Sequence, residues 1–216
     1  MATSTKLTKD RVWQHVGAER NEVADLVESL TEQQLDAPSL CSDWRIRDVA
    51  GHLAWGALSS PPQVAQAMLL GGLKVNAVMT EQAISTGSIP SERLVAQLRR
   101  GAAMRIAAPG FPPIGYLADI VVHHSDMTRP LGLDRTVPEE RLVAALDRSL
   151  TSNRFTSGRS RVRGLRLVAT DVEFVLGSGP EVRGPGEALL MAGVGRAQAL
   201  SDLDGDGLEE LRSRIA

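Results

Sequence analysis

The 216-residue chain is short of several things, and each shortage excludes something. It has one cysteine, Cys41, so no disulfide forms within it, which suits a reducing compartment. The formal net charge of −2 rests on interleaved acids and bases, which leaves no basic stripe for nucleic acid and no charged tail. No apolar run is long and uninterrupted enough to span a bilayer, and "MATSTKLTKD" lacks the apolar core of a secretory signal. The expectation is a cytoplasmic protein that engages neither nucleic acid nor membrane.

What is present is helical periodicity over the first two thirds. Val12, Val16, Val23, Leu26, Val27 and Leu30 recur at mostly helical spacings. "SLCSDWRIRDVAGHLAWGAL" opens with the cap-type residues Ser42 and Asp43, then places Ile46, Val49, Leu53 and Ala57 on one face. Further helices are expected in "PQVAQAMLLGGLKVNAVM", weakened by Gly71 and Gly72, and in "SERLVAQLRRGAAMRI", with Ser91 as N-cap. "YLADIVVHHSDMTRPLG" reads as a helix ended by Pro130 and Gly132, and Pro138 sits at the first turn of the next one. The stretch "TSNRFTSGRSRVRG" is polar and linker-like, and "LRLVATDVEFVLGSGPEVRG" alternates as short strands do, with a turn at "GSGP". The fold class is mainly α: an antiparallel helical bundle over 1–152, then a small α+β domain over 160–216.

The chemistry concentrates in "DIVVHHSD". On a helix, Asp119 and His123 are i and i+4 and share a face. Both can reach one divalent ion, and His52, set among the apolar positions of "RDVAGHLAW", is the best third ligand. Two imidazoles and one carboxylate leave coordination positions open, as a catalytic ion requires. The plainer alternative is a helix-surface pair at Asp119 and His123, with His52 a core histidine bonded to a carbonyl. Asp126 falls near the same face, either accepting a ligand's free ring N–H or anchoring the helix end against Arg129. His124 lies off the face and is expected to be exposed or behind a ligand. His15 reads as structural. Cys41 reads as a small packed hydrophobe, and Trp44 and Trp55 as packing residues near the site. "DLDGDG" begins like a calcium loop, but Ser213 stands where the bidentate glutamate belongs, so it reads as a turn.

Two segments, "PSLCSDWRIRDVAGHLAWG" and "DIVVHHSDMTRPLG", together resemble the mycothiol-dependent maleylpyruvate isomerase family within the DinB-like metalloprotein group. Cys41, Trp44, His52, Asp119, His123, Asp126 and Gly132 carry the resemblance, and "VRGPGEALLMAGVGR" is similar to the family's C-terminal domain. The resemblance implies a DinB-like four-helix bundle holding a divalent metal, zinc with nickel or iron as alternatives, on His52, Asp119 and His123. It implies mycothiol as the thiol cofactor and a small electrophile as substrate. The metal-held thiolate would add to an activated double bond, allow rotation and leave, or be transferred. It further implies Arg196 as the residue that binds a substrate carboxylate, with Arg183 as second choice. The family's isomerase has Glu where this chain has Asp119, one methylene shorter. Rival readings are a non-catalytic DinB-like metal-binding stress or resistance protein, and a metal-dependent hydrolase using bound water. A homodimer is compatible with the exposed bundle faces.

Overall fold

The structure, a computed structural model, describes residues 7–70, 72, 74–107, 111–153 and 156–215. In chain order the helices are α1 (Lys9–Ser29), α2 (Glu32–Leu35), α3 (Ile46–Leu58), α4 (Pro61–Leu70), α5 (Val75–Gly87), α6 (Ser91–Ala102), α7 (Pro113–Thr128), α8 (Glu139–Leu150) and α9 (Gly158–Val162). Strands β1 (Arg166–Ala169), β2 (Val175–Gly177) and β3 (Glu181–Gly184) follow, then α10 (Gly186–Gly193) and α11 (Leu208–Ser213). The chain is mainly helical with one small sheet, as the periodicity predicts. Among the described residues, no helix is long and apolar enough to cross a membrane.

Two compact units can be distinguished. One comprises Lys9–Tyr116 and His123–Arg135; the other comprises Leu117–Val122 and Thr136–Ala216 together with Met1–Thr8. The first is the helical bundle. There α3 packs on α5 and α6, and α1 packs on α6. Val12, Val16, Val23 and Val27 of α1 are buried, with Ile46, Val49, Leu53 and Ala57 of α3 and Leu94 and Leu98 of α6. These are the apolar stripes of amphipathic helices.

The α3–α5 crossing is unusually close because both helices present glycine. A Cβ on Gly51 would lie 2.4 Å from both the Ala83 carbonyl oxygen and the Gly87 nitrogen. A Cβ on Gly87 would lie 2.6 Å from the Arg47 carbonyl oxygen. The backbones therefore touch where a side chain would hold them apart.

Several local expectations shift. Helix α3 starts at Ile46, with Arg45 at its N-cap, and not at Ser42 or Asp43. Asp43 adopts φ 71° and Trp44 N–H donates to the Cys41 carbonyl at 3.1 Å, so this stretch is a turn. Asp48 does the capping, its Oδ2 accepting from Arg45 N–H at 3.0 Å. Ser91 is the first residue of α6, behind an N-cap at Pro90. The apolar run after Pro61 is two helices, α4 and α5. Short α2, with a Thr31–Gln34 capping box, and α9, inside the linker-like stretch, add to the expected elements.

In the second unit the sheet order is β2-β1-β3, with β1 antiparallel to β2 and parallel to β3. "GSGP" therefore does not join two paired strands; it carries the chain past the start of β1. Gly179 permits this at φ 136°, where a Cβ would lie 2.0 Å from the Gly164 carbonyl oxygen. Helix α10 packs against α8, burying Leu142, Leu146 and Leu150 with Leu189 and Leu190. "DLDGDG" is pinned to β3 by two backbone bonds between Arg183 and Asp204, at 2.7 and 2.8 Å, and reads as a turn.

Gly51→Val should destabilise the protein by about 1–3 kcal/mol through overpacking of the α3–α5 crossing. Gly56→Ala, where a Cβ meets nothing within 4 Å, should raise stability by up to about 1 kcal/mol through helix propensity. Chemical denaturation of the two variants checks the contrast.

Candidate metal centre

Helix α7 carries three of the candidate residues. Asp119, His123 and Asp126 follow one another at intervals of four and three residues, so they lie along one side of the helix. Helix α3 carries His52 on the edge of its buried stripe, half-buried beside Leu53. The rings of His52 and His123 meet edge-to-face, with centroids 5.0 Å apart and planes at 72°. His52, Asp119 and His123 each offer a ligand atom, and these atoms all lie within 4.8 Å of one another. Donors around one tetrahedral zinc ion are about 3.4 Å apart at ordinary zinc–ligand lengths. The three atoms are thus grouped loosely enough that the side chains must close in to share an ion, and the donor set of two imidazoles and a carboxylate suits zinc, nickel or iron.

The second nitrogen of His123 is committed elsewhere. Its Nδ1 lies 2.9 Å from Asp126 Oδ2, and Asp126 has a fully buried side chain. A carboxylate there accepts the Nδ1 proton, which fixes the tautomer and leaves the Nε2 lone pair free for an ion. Asp126 also binds the loop that precedes α3. Its backbone carbonyl accepts from Leu40 N–H at 3.0 Å, and its Oδ2 accepts from the Cys41 thiol at 3.0 Å.

Cys41 is thus not merely a packed small hydrophobe, as its sequence context predicts. Its sulfur also lies 3.5 Å from His123 Nδ1, and Cys41, His123 and Asp126 form a second grouping of possible ligand atoms. The loop is shaped by Ser39, whose hydroxyl donates to the Trp44 carbonyl at 2.9 Å and accepts from Cys41 N–H at 3.1 Å. That shape sets the Trp44 ring beside both imidazoles, with centroids 5.2 Å from His52 and 6.1 Å from His123. Trp44 is a wall of the site.

His124 corrects an expectation: it is buried, not exposed, and belongs to a different cluster. One residue further round α7, its Nδ1 lies 2.9 Å from Glu19 Oε1 on α1. Glu19, completely buried, also pairs with Arg135. Arg135 in turn donates to the Ser125 hydroxyl at 3.3 Å. Sequence reading missed Glu19 and Arg135. The available signal was an acidic residue on the Val12–Val16–Val23 stripe, since a charge on a buried face needs a partner. Adjacent histidines on α7 therefore do different work, one facing α3 and the other tying α7 to α1.

Arg196 lies in the second unit, at the N-cap of a six-residue 3₁₀ helix, Ala197–Asp202. Its Nη1 donates weakly to the Val194 carbonyl at 3.4 Å. Arg183, the second choice, is occupied through its backbone in β3 and the bridge to Asp204.

Burial holds His124 below the ordinary histidine value; the Glu19 bond opposes this, and the Arg135 charge reinforces it. The neutral ring is therefore favoured in the folded chain. The unfolded chain takes up a proton near pH 6.5 and the folded chain does so only at lower pH, so this contribution to stability is present above about pH 6.5 and is lost as pH falls. His124→Gln should flatten that acid limb. Urea titrations of chelator-treated protein between about pH 7.5 and 5 check it; an unchanged slope would assign the acid sensitivity to Glu19 or Glu22 instead.

Known proteins resemble this chain in sequence and in fold. Residues 16–112 match the family described as "Mycothiol maleylpyruvate isomerase N-terminal domain". Two solved structures share the fold: the mycothiol-dependent maleylpyruvate isomerase, at 13 % identity, and a point mutant of it, at 12 %. Each has a TM-score of 0.63, with 95 % of this chain and 96 % of the other aligned. No curated protein sequence matches the chain. Over residues 16–112, somewhat under half of the chain, the sequence resembles the mycothiol maleylpyruvate isomerase N-terminal domain family.

Proposed function

We propose that this protein is a metal-dependent enzyme that uses a low-molecular-weight thiol of the mycothiol type to isomerise, or transfer sulfur to, a small electrophile, as maleylpyruvate isomerase does. The observation that carries the reading is the convergence of donor atoms from His52, Asp119 and His123 within 4.8 Å. The family match over 16–112 and the likeness of fold along nearly the whole chain support it. The metal proposed is zinc.

A bound divalent cation would supply one thing: it holds a coordinating thiol as the nucleophilic thiolate at neutral pH. The protein's own groups do the rest. His52, Asp119 and His123 would fill three positions and leave the remainder to the thiol. Asp126 holds the His123 ring and its proton on Nδ1, so that Nε2 stays aimed and basic. The Trp44 indole, against both imidazoles, shields one side from water and so strengthens the electrostatics within. Arg196 is proposed to hold a carboxylate of the substrate, for which a planar guanidinium provides two parallel donors. Asp119, shorter than the glutamate of the isomerase, would draw the ion nearer to α7.

The first test is elemental analysis of untagged protein, with His52→Ala and His123→Ala beside it. Near-stoichiometric zinc, lost in both variants, is the expected result; protein that stays metal-free after zinc is offered contradicts the reading. Asp126→Asn should keep the metal but lower its affinity by about 10–100-fold, read by chelator competition. Turnover of maleylpyruvate should require added mycothiol. Mycothiol binding without turnover would favour a sequestering protein, and turnover without thiol a hydrolase.

A further inference from the structure

The proposed function leaves the Cys41 thiol unused, although it meets two residues of the centre. Cys41 Sγ lies 3.0 Å from Asp126 Oδ2 and 3.5 Å from His123 Nδ1. Those two partner atoms are 2.9 Å apart. A sulfur, a nitrogen and an oxygen thus form one small triangle. Donors of these kinds stand about 3.3–3.6 Å apart around a tetrahedral zinc ion, so the triangle is near the size that one cation requires. All three residues belong to the helical-bundle unit. The Asp126 side chain is fully buried, while Cys41 and His123 are half-buried and open on one side.

The sulfur is held there by its own backbone. Cys41 N–H donates to the Ser39 hydroxyl at 3.1 Å, and Trp44 N–H donates to the Cys41 carbonyl at 3.1 Å. Leu40 N–H, one residue earlier, donates to the Asp126 carbonyl at 3.0 Å. Two protons occupy the triangle: the thiol donates one to Asp126 and His123 Nδ1 the other. A cation can replace both, because it binds the same three atoms.

Occupation has a consequence for the first donor set. A neutral imidazole carries one proton and one free lone pair. With the proton on Nδ1, Nε2 can serve an ion beside His52 and Asp119. With a cation on Nδ1, the proton must sit on Nε2, and the first set loses His123.

We propose that Cys41, His123 and Asp126 form a second cation site, selective for a soft cation such as cadmium, and that filling it disables the first. Thiolate ligands select soft cations, whereas the set of two imidazoles and a carboxylate suits harder ones. The incoming cation forms bonds to Sγ, Nδ1 and a carboxylate oxygen. The S–H bond breaks and its proton leaves to solvent, the ring proton moves from Nδ1 to Nε2, and no electrons are exchanged. The second site stands on its own geometry; only its effect on the first rests on the proposed function.

The test is titration of the chelator-treated full-length chain with cadmium chloride in thiol-free buffer, followed by the ultraviolet sulfur-to-cadmium charge-transfer band. The chain has one cysteine, so the band reports Cys41 alone. Wild type should reach saturation at one equivalent. Cys41→Ser, which keeps a donor to Asp126, should lose the band while its circular dichroism is unchanged. Asp126→Asn should need more cadmium to reach it, and His52→Ala should keep it. No saturable band in folded wild type overturns the site. A band lost in His52→Ala overturns it as a separate site, since the sulfur then belongs to the first set. The effect on the first set is read by loading zinc, adding cadmium and measuring released zinc with a metallochromic indicator. Release from wild type and retention by Cys41→Ser is expected. Zinc retained beside a full band, or released equally from Cys41→Ser, overturns the exclusion. Wild type that never holds zinc contradicts the proposed function and leaves the cadmium band to decide the second site.

Discussion

The hydrogen bond between Asp126 and His123 is the contact on which the candidate centre depends. Asp126 is buried with one carboxylate oxygen shared between the His123 ring and the Cys41 thiol, while its backbone carbonyl receives the Leu40 amide. One residue therefore sets the His123 tautomer and docks the loop that carries Cys41 and Trp44. Remove the carboxylate and the ring is free to rotate, the loop loses an anchor, and Trp44 loses its reason to sit beside the imidazoles. A buried carboxylate with too few partners is costly, so the arrangement is cooperative: each partner that satisfies Asp126 also fixes a part of the site.

The scaffold serves that contact from both sides. The glycine-lined α3–α5 crossing sets where α3, and so His52, can lie. The Glu19–His124–Arg135 cluster fixes α7 against α1 through the residue next to His123. Buried ion-pair clusters contribute little net stability relative to apolar packing, but breaking one partner is strongly destabilising. Their value here is positional, because rotating α7 by even a fraction of a turn would carry His123 away from His52.

Much of this was legible in the sequence because helices impose a simple spacing rule. An i, i+4 pair on an apolar helix, with a histidine on another apolar stripe, is enough to nominate His52, Asp119 and His123. The mainly helical fold followed from the same periodicity, and the small C-terminal sheet from the alternation of apolar and polar residues after Gly164. Less legible were features that depend on pairing across distance. Cys41 gave no sign of its partner, since nothing local says that a loop thiol meets a carboxylate 85 residues later. His124 looked like a spare histidine until Glu19 supplied the opposing charge. The start of α3 was misplaced because Asp48 caps the helix from inside while Ser42 and Asp43, good cap residues, are used in a turn. The β2-β1-β3 order is set by a glycine passing a carbonyl, which no alternation pattern reveals.

His123 stands between two possible donor sets, one with His52 and Asp119 and one with Cys41 and Asp126, and the proposed function requires the first. X-ray absorption at the zinc edge of the loaded, thiol-free protein separates them most directly. Nitrogen and oxygen scatterers only, at about 2.0–2.2 Å, with one imidazole lost in His52→Ala, is the predicted result. A sulfur scatterer at about 2.3 Å, abolished by Cys41→Ser and indifferent to His52, would contradict it.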